Sequence, residues 1–135
     1  MALQLSTAVR NALLDAIETA IGTSAVLKIR SGAPPASVAT ADSGTVLATL
    51  TLPSDWMAAA SAGSKAKSGT WEDSSANAAG TAAHYRIYAS DGTTCHLQGT
   101  VTATGGGGDL TVDNTSFAAG QSFTITSYSW TAPNA

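Results

Sequence analysis

Chemistry in this chain would have to come from Thr81 to Val101, TAAHYRIYASDGTTCHLQGTV. The stretch holds both histidines (His84, His96), the sole cysteine (Cys95) and two of the three tyrosines (Tyr85, Tyr88). Imidazole and thiolate are metal ligands, and a thiol beside an imidazole is a nucleophile with its base. Which of these the stretch could be depends on its register as a β-hairpin. A two-residue Asp91-Gly92 turn pairs Ile87 with His96 and Tyr85 with Gln98, mixing polar and apolar side chains on one face. A three-residue Ser90-Asp91-Gly92 loop pairs Ile87 with Cys95, Tyr85 with Leu97, Arg86 with His96 and His84 with Gln98. A slip of one residue inverts every side chain, so only the odd loop keeps both faces consistent. It is also the type I turn plus bulge that takes glycine at its left-handed position. In that register Cys95 points away from His84 and His96. The two histidines, placed diagonally, supply at most two ligands where structural zinc needs four. No metal is expected, and Cys95 reads as a small buried thiol.

The other reactive types assemble no better. Many serines are present, but none sits in a Gly-x-Ser-x-Gly elbow. Asp73 or Asp91 could orient a histidine, as any acid could. Glu72 and Asp73 are adjacent, so along a strand they point to opposite faces and cannot flank one glycosidic bond. Gly105 to Gly108 lacks the Lys-Ser/Thr of a phosphate loop. No catalytic residue, no cofactor and no small-molecule substrate are expected.

These residues must be positioned by elements that the patterning announces. Val9, Leu13, Ile17 and Ile21 recur every four residues, with Ala16 and Ala20 beside them, which predicts a helix over 6–21. Ser6 or Thr7 is its N-cap and Gly22 its C-terminal stop. One apolar face predicts that this helix lies on something, with Leu3 and Leu5 packing back on it or reaching a neighbouring chain. After Gly22 the period changes to two. Ala25–Ser31 puts Ala25, Leu27 and Ile29 on one face and Lys28 and Arg30 on the other; Thr45–Leu52 alternates likewise. Residues 32–44 form a loop, Trp56–Ala62 a short helical turn or irregular crossing, and Lys65–Glu72 a further strand. Gly105–Gly108 is a flexible turn. Leu110–Val112 and Gln121–Trp130 are the last strands, and the change of parity from Ile125 to Tyr128 and Trp130 suggests a bulge or a strand end. Six to eight short strands and one helix predict a mainly β fold. The expected form is an antiparallel, jelly-roll-like β-sandwich with one N-terminal amphipathic helix. The whole is one domain, with an N-terminal arm over 1–5, the helix over 6–21, the sandwich over 25–130 and a C-terminal tail over 131–135.

Composition narrows the partners. Only 11% of the 135 residues are charged, with a net charge of −3, against roughly 25% charged in an average domain. A weakly charged surface does little to oppose association, which favours an assembly over a Ser/Thr-covered monomer. The six basic residues are scattered, so nucleic acid is not expected. No apolar run approaches the ~20 residues of a membrane helix. The opening Met1-Ala2-Leu3-Gln4-Leu5 has no signal-peptide character, and one cysteine permits no intrachain disulfide, so synthesis in a reducing cytosol is expected. Trp56, Trp71 and Trp130 read first as core, but aromatics also mark subunit contacts. Leu3, Leu5, Trp56, Trp130 and Pro133 are the candidate interface residues, Trp130 the best of the tryptophans because it adjoins the tail.

The opening MALQLSTAVRNALLDAIETAIG, the segments AVLKIRSGAPP and SGTVLATLTL, the block SANAAGTAAHYRIYASDGTTCHLQGTV and the closing ITSYSWTAPNA together carry a resemblance. In layout, over nearly its whole length, the chain resembles a family of small virion structural proteins of tailed bacteriophages and prophages. No catalytic motif is part of the match. The resemblance implies a non-enzymatic part of the particle. The first expectation is a capsid decoration, or cement, protein made in the bacterial cytoplasm and carried on the capsid exterior. Its partners would be the major capsid protein and copies of itself, as dimer or trimer, with the arm and tail touching neighbouring chains. A tail, neck, baseplate or fibre-anchoring component is the alternative. A carbohydrate-binding β-sandwich with Trp56 and Trp71 as its platform is a third reading.

Overall fold

The computed structural model describes residues 3–135; Met1 and Ala2 of the expected arm lie outside the described residues. The first element is helix α1, Thr7–Ile21. The Ser6 hydroxyl caps it by accepting from the Val9 amide at 3.2 Å, which satisfies one of the free donors of the first turn. It ends where the Gly22 amide donates to Glu18 O at 2.9 Å and Gly22 turns out with φ +96°, a conformation easy only for glycine.

Ten strands follow: β1 Val26–Ser31, β2 Val46–Thr51, β3 Ser64–Ala66, β4 Trp71–Asp73, β5 Gly80–Tyr88, β6 Cys95–Ala103, β7 Leu110–Val112, β8 Ser116–Phe117, β9 Phe123–Ile125 and β10 Ser129–Thr131. The main sheet runs β2-β1-β5-β6-β7, with β8 on the start of β5. Every pair in it is antiparallel except β6–β7, which is parallel. Two small antiparallel ladders, β3–β10 and β4–β9, complete a curled, partly closed, antiparallel-rich arrangement. The fold is mainly β with one helix, as expected.

One face of the main sheet makes the core. Leu27 pairs with Leu50 and Ile87, and Ile29 with Ala48 and Tyr85, and all six are buried. Against them stands a run of aromatic rings. Trp56 contacts Trp71 (6.0 Å between centroids) and Trp130 (5.7 Å), while Tyr128 contacts Trp71 (5.5 Å) and Tyr85 (5.6 Å). Their polar atoms are all bonded, as burial demands. The three indole N–H groups donate to Gly22 O, Ser68 O and the Tyr128 hydroxyl, and the Tyr85 and Tyr128 hydroxyls share a 2.7 Å bond.

Three sequence expectations change. The hairpin pairs Ile87 with Leu97, Arg86 with Gln98, Tyr85 with Gly99 and His84 with Thr100, a shift of two residues from the three-residue loop. The cause is Asp91, whose carboxylate accepts from the Thr93 and Thr94 amides and the Thr94 hydroxyl, widening the loop. A bulge between Ile87 and Tyr88 then sets Cys95 opposite Tyr88, so the thiol lies on the His84 and Arg86 side rather than opposite it. Because the shift is even, Tyr85 and Ile87 stay on the core face. Next, Lys65–Glu72 is two short strands, and Gln121–Trp130 divides into β9 and β10, which join different ladders; that division is the parity change read at Ile125 to Tyr128.

The third change concerns α1. Its predicted core stripe faces out: Val9 and Leu13 are each 46% exposed and Ile17 37%, and only Leu14 and Ile21 are buried. The inward face is polar and is paired. Arg10 donates to Ala132 O (2.8 Å), Asn11 accepts from the Gly63 amide, and Asp15 and Glu18 accept from the Ala60 and Met57 amides. Buried Lys65 bridges Asp15 (2.6 Å) and Glu18 (2.8 Å). Burial disfavours the Lys65 charge, but those two carboxylates outweigh it and hold its pKa above the ordinary value. Asp15 is held low, first by the Lys65 hydrogen bond and then by the Ala60 amide.

Candidate functional site

The face of the main sheet turned away from the core is polar. Cross-strand pairing puts Lys28 beside Arg86 and Arg30 beside His84, with Gln98, Thr100 and Cys95 completing the row. The loop between β1 and β2 lies across this row and is bonded to it at every few residues. His84 Nδ1 meets Gly32 O at 2.7 Å and the Gln98 amide donates to Pro35 O at 2.8 Å. Arg86 donates to Ser37 O, Val38 O and Thr40 O, 3.0–3.1 Å away, as well as to Gln98 and Asp42. Asp42 gathers three donors: Arg86, Arg30 (2.9 Å) and the Tyr88 hydroxyl (2.8 Å).

Electrostatically, one carboxylate sits against two guanidinium groups. Partial burial works against its ionisation, yet the Tyr88 and Arg86 hydrogen bonds and the Arg30 and Arg86 charges prevail, and the Asp42 pKa falls below its ordinary value. Burial pushes the Tyr88 hydroxyl and the Cys95 thiol up, so both are neutral at pH 7. Arg86 is 1% exposed and Arg30 6%; Arg86 spends most of its donors on the loop, and Arg30 reaches Asp42 and the Tyr88 hydroxyl. Chemically this cluster is a clasp that fixes the irregular loop between Ser31 and Val46 onto a sheet. Arg30 Nε and His84 Nε2 are buried without a partner among the described residues. His84 is wholly buried, whereas His96 is exposed. Among the described residues no group of three or more His, Cys, Asp or Glu is placed to hold a metal ion, and no helix is long and apolar enough to cross a membrane.

The second feature is the outward face of α1. Between α1 and β10 runs an open groove of about 420 Å³, with Leu13, Ile17, Leu97, Trp130 and Pro133 in its lining and the Tyr85–Tyr128 pair also reaching it. Of the candidate interface residues, Trp130 and Pro133 therefore stand in one apolar groove wall, and Leu3 is 71% exposed near the start of the helix. Leu5 is half-buried, and its amide donates to Asn134 O at 2.7 Å. That bond and the Arg10–Ala132 bond tie Leu5 and the start of the helix to the tail of the same chain. Trp56 and Trp71 are both 0% exposed; packing in the aromatic core removes Trp56 from any interface and leaves no Trp56–Trp71 platform for a sugar.

Sequence reasoning missed the clasp. Its signal was the alternation of Lys28 and Arg30 on β1 with His84, Arg86 and Tyr88 on β5, followed by a long loop carrying one acid, Asp42, that could neutralise them. No protein-family model matches the chain, and the comparisons with curated proteins and with solved structures likewise found no match.

Proposed function

We propose that this chain is a non-enzymatic structural protein of a tailed-phage virion, and within that class a decoration protein that binds the outside of the head. The observation that carries the reading is the outward face of α1, which leaves Val9, Leu13 and Ile17 in water on a domain that is otherwise well packed. An apolar surface of this kind marks a contact with another protein. The low charge density, the absence of an assembled reactive set among the described residues and the resemblance in sequence layout to small virion proteins all agree with it. The framework would be a sandwich of jelly-roll type, in which the β3–β10 and β4–β9 ladders face the main sheet across the aromatic core. A protein that binds only the assembled shell stabilises it by mass action.

The test is direct. Purified chain is mixed with expanded shells lacking it and pelleted, and the shells are then heated. Saturable binding with a raised disruption temperature supports decoration. Failure to bind shells while binding tail tubes would establish the tail or neck reading instead.

A further inference from the structure

We propose that the outer edge of β10 is a strand-addition site, and that an extended segment of the shell subunit pairs with it in the groove beside α1. The ladder to β3 fixes which backbone groups are free. The Lys67 amide donates to Tyr128 O at 2.9 Å and the Ala132 amide to Gly63 O at 3.0 Å, and Trp130 lies opposite Lys65 in the same register. Tyr128–Lys67, Trp130–Lys65 and Ala132–Gly63 are therefore the hydrogen-bonded pairs of this antiparallel ladder. The alternation then turns the N–H and C=O of Ser129 and Thr131 away from β3. Their partners in register show the same alternation, because Ser64 and Ala66 bond away from β10, to Ser61 and Ala58. Among the described residues no further strand lies beyond Ser129 and Thr131, and both are exposed.

Both residues line the groove, and Leu97 and Gln98 of β6 line it too. There β6 is itself uncovered, since β7 pairs with it only from Val101 onward. The Thr100 amide points to that open side, where it donates to Asp109, so Gln98, two residues earlier, turns its own N–H and C=O the same way. The groove is thus bordered by two strand edges that no strand of the described residues completes. An open edge is a template for pairing, and proteins that must not pair guard it with lysine, proline or a bulge. Ser129 and Thr131 carry no such guard; Pro133 only ends the edge.

The chemistry of the groove describes its occupant. Donor and acceptor pairs that repeat every two residues, about 7 Å, match another extended backbone. Leu13, Ile17, Leu97 and Trp130 in the lining call for apolar side chains on the segment. Asp109 is the one charged side chain in the lining. It accepts from the Thr100 amide at 2.9 Å, and no cation pairs with it among the described residues. A Lys or Arg on the segment would complement it. The groove also adjoins the α1 face assigned to the shell, so a segment entering it continues that contact. That the segment belongs to the shell subunit rests on the decoration reading; the open edge itself does not.

Wild-type and Thr131→Pro chains titrated onto expanded shells lacking the protein test it. The Thr131 N–H faces away from β3, so proline removes an outward donor and leaves the β3–β10 ladder whole, which an unchanged urea midpoint checks. The variant should bind shells about tenfold or more weakly, through one lost hydrogen bond and the bulk of the ring. Asp109→Asn keeps an acceptor for Thr100 and should weaken binding at low salt more than at high salt. Hydrogen exchange of the wild type needs no variant: the Ser129 and Thr131 amides should exchange more slowly on shells than in the free chain. Shell binding that is indifferent to Thr131→Pro or to Asp109→Asn, or that leaves those two amides exchanging as before, overturns strand addition while decoration stands. A wild-type chain that binds no shell overturns decoration and this occupant together.

Discussion

Asp42→Asn isolates the clasp. The substitution keeps the shape and one acceptor but removes the charge that faces Arg30 and Arg86. Those guanidinium groups stay buried, at 6% and 1% exposure, with their mutual repulsion uncompensated. Breaking a buried ion pair costs about 3–5 kcal/mol. The Asp42 side chain is itself 38% exposed, so water screens part of the loss, and about 2–3 kcal/mol is the expected cost. For a domain of this size that lowers Tm by roughly 6–12 °C. The assay is urea denaturation at pH 7 and one fixed concentration, since association would shift the midpoint. The pH dependence supplies a second reading. A carboxyl whose folded pKa is depressed contributes stability that is full above its unfolded value of about 3.9 and is lost as pH falls through the folded value. Native protein should therefore lose this increment on acidification below about pH 4, and Asp42→Asn should lack that step. Proteolysis should concentrate in residues 33–44 of the variant. A loss under about 0.5 kcal/mol, the size of an ordinary surface change, would show that backbone carbonyls alone hold the loop.

Three further outcomes are expected. Ile87→Ala, at a wholly buried site, should cost about 2–5 kcal/mol in urea denaturation; a cost below about 0.5 kcal/mol would contradict the placement of β5. Lys65, held above its ordinary pKa of 10.5 by Asp15 and Glu18, contributes stability that is present below that pH and fades as pH rises past it. Lys65→Met should flatten the alkaline limb of a stability–pH curve, and an unchanged limb would refute the bridge. Gly63 has φ +74°, and an added Cβ would lie 2.3–2.6 Å from the Arg10 guanidinium. Gly63→Ala should displace Arg10 from Ala132 O and speed hydrogen exchange of the Ala132 amide, which bonds Gly63 O; unaltered exchange would argue against the tie between the chain ends.

The helix was legible in its bounds and not in its orientation. Periodicity reports which residues share a face, but Val9, Leu13 and Ile17 look the same to a pattern whether the sheet or a partner covers them. The polar face won the interior because Lys65, Gly63 and Ala132 supply partners for Arg10, Asn11, Asp15 and Glu18, and those partners lie some fifty residues or more away in sequence. The hairpin illustrates the converse. Alternation fixed the faces of Tyr85 and Ile87, while the exact pairing depended on a local competitor, the Asp91 side chain, that alternation cannot see. The clasp was least legible. Arg30, Asp42 and Arg86 form one unit only after β1 and β5 pair, and a lone Asp in a Ser/Thr-rich loop carries no periodic signal.

The central claim is that the chain is a stoichiometric part of the phage head. Quantitative mass spectrometry of purified virions, against the major capsid protein, measures that directly. The account predicts copies in near-stoichiometric ratio to the capsid subunit. A handful of copies per particle would contradict it and move the chain to the tail or neck.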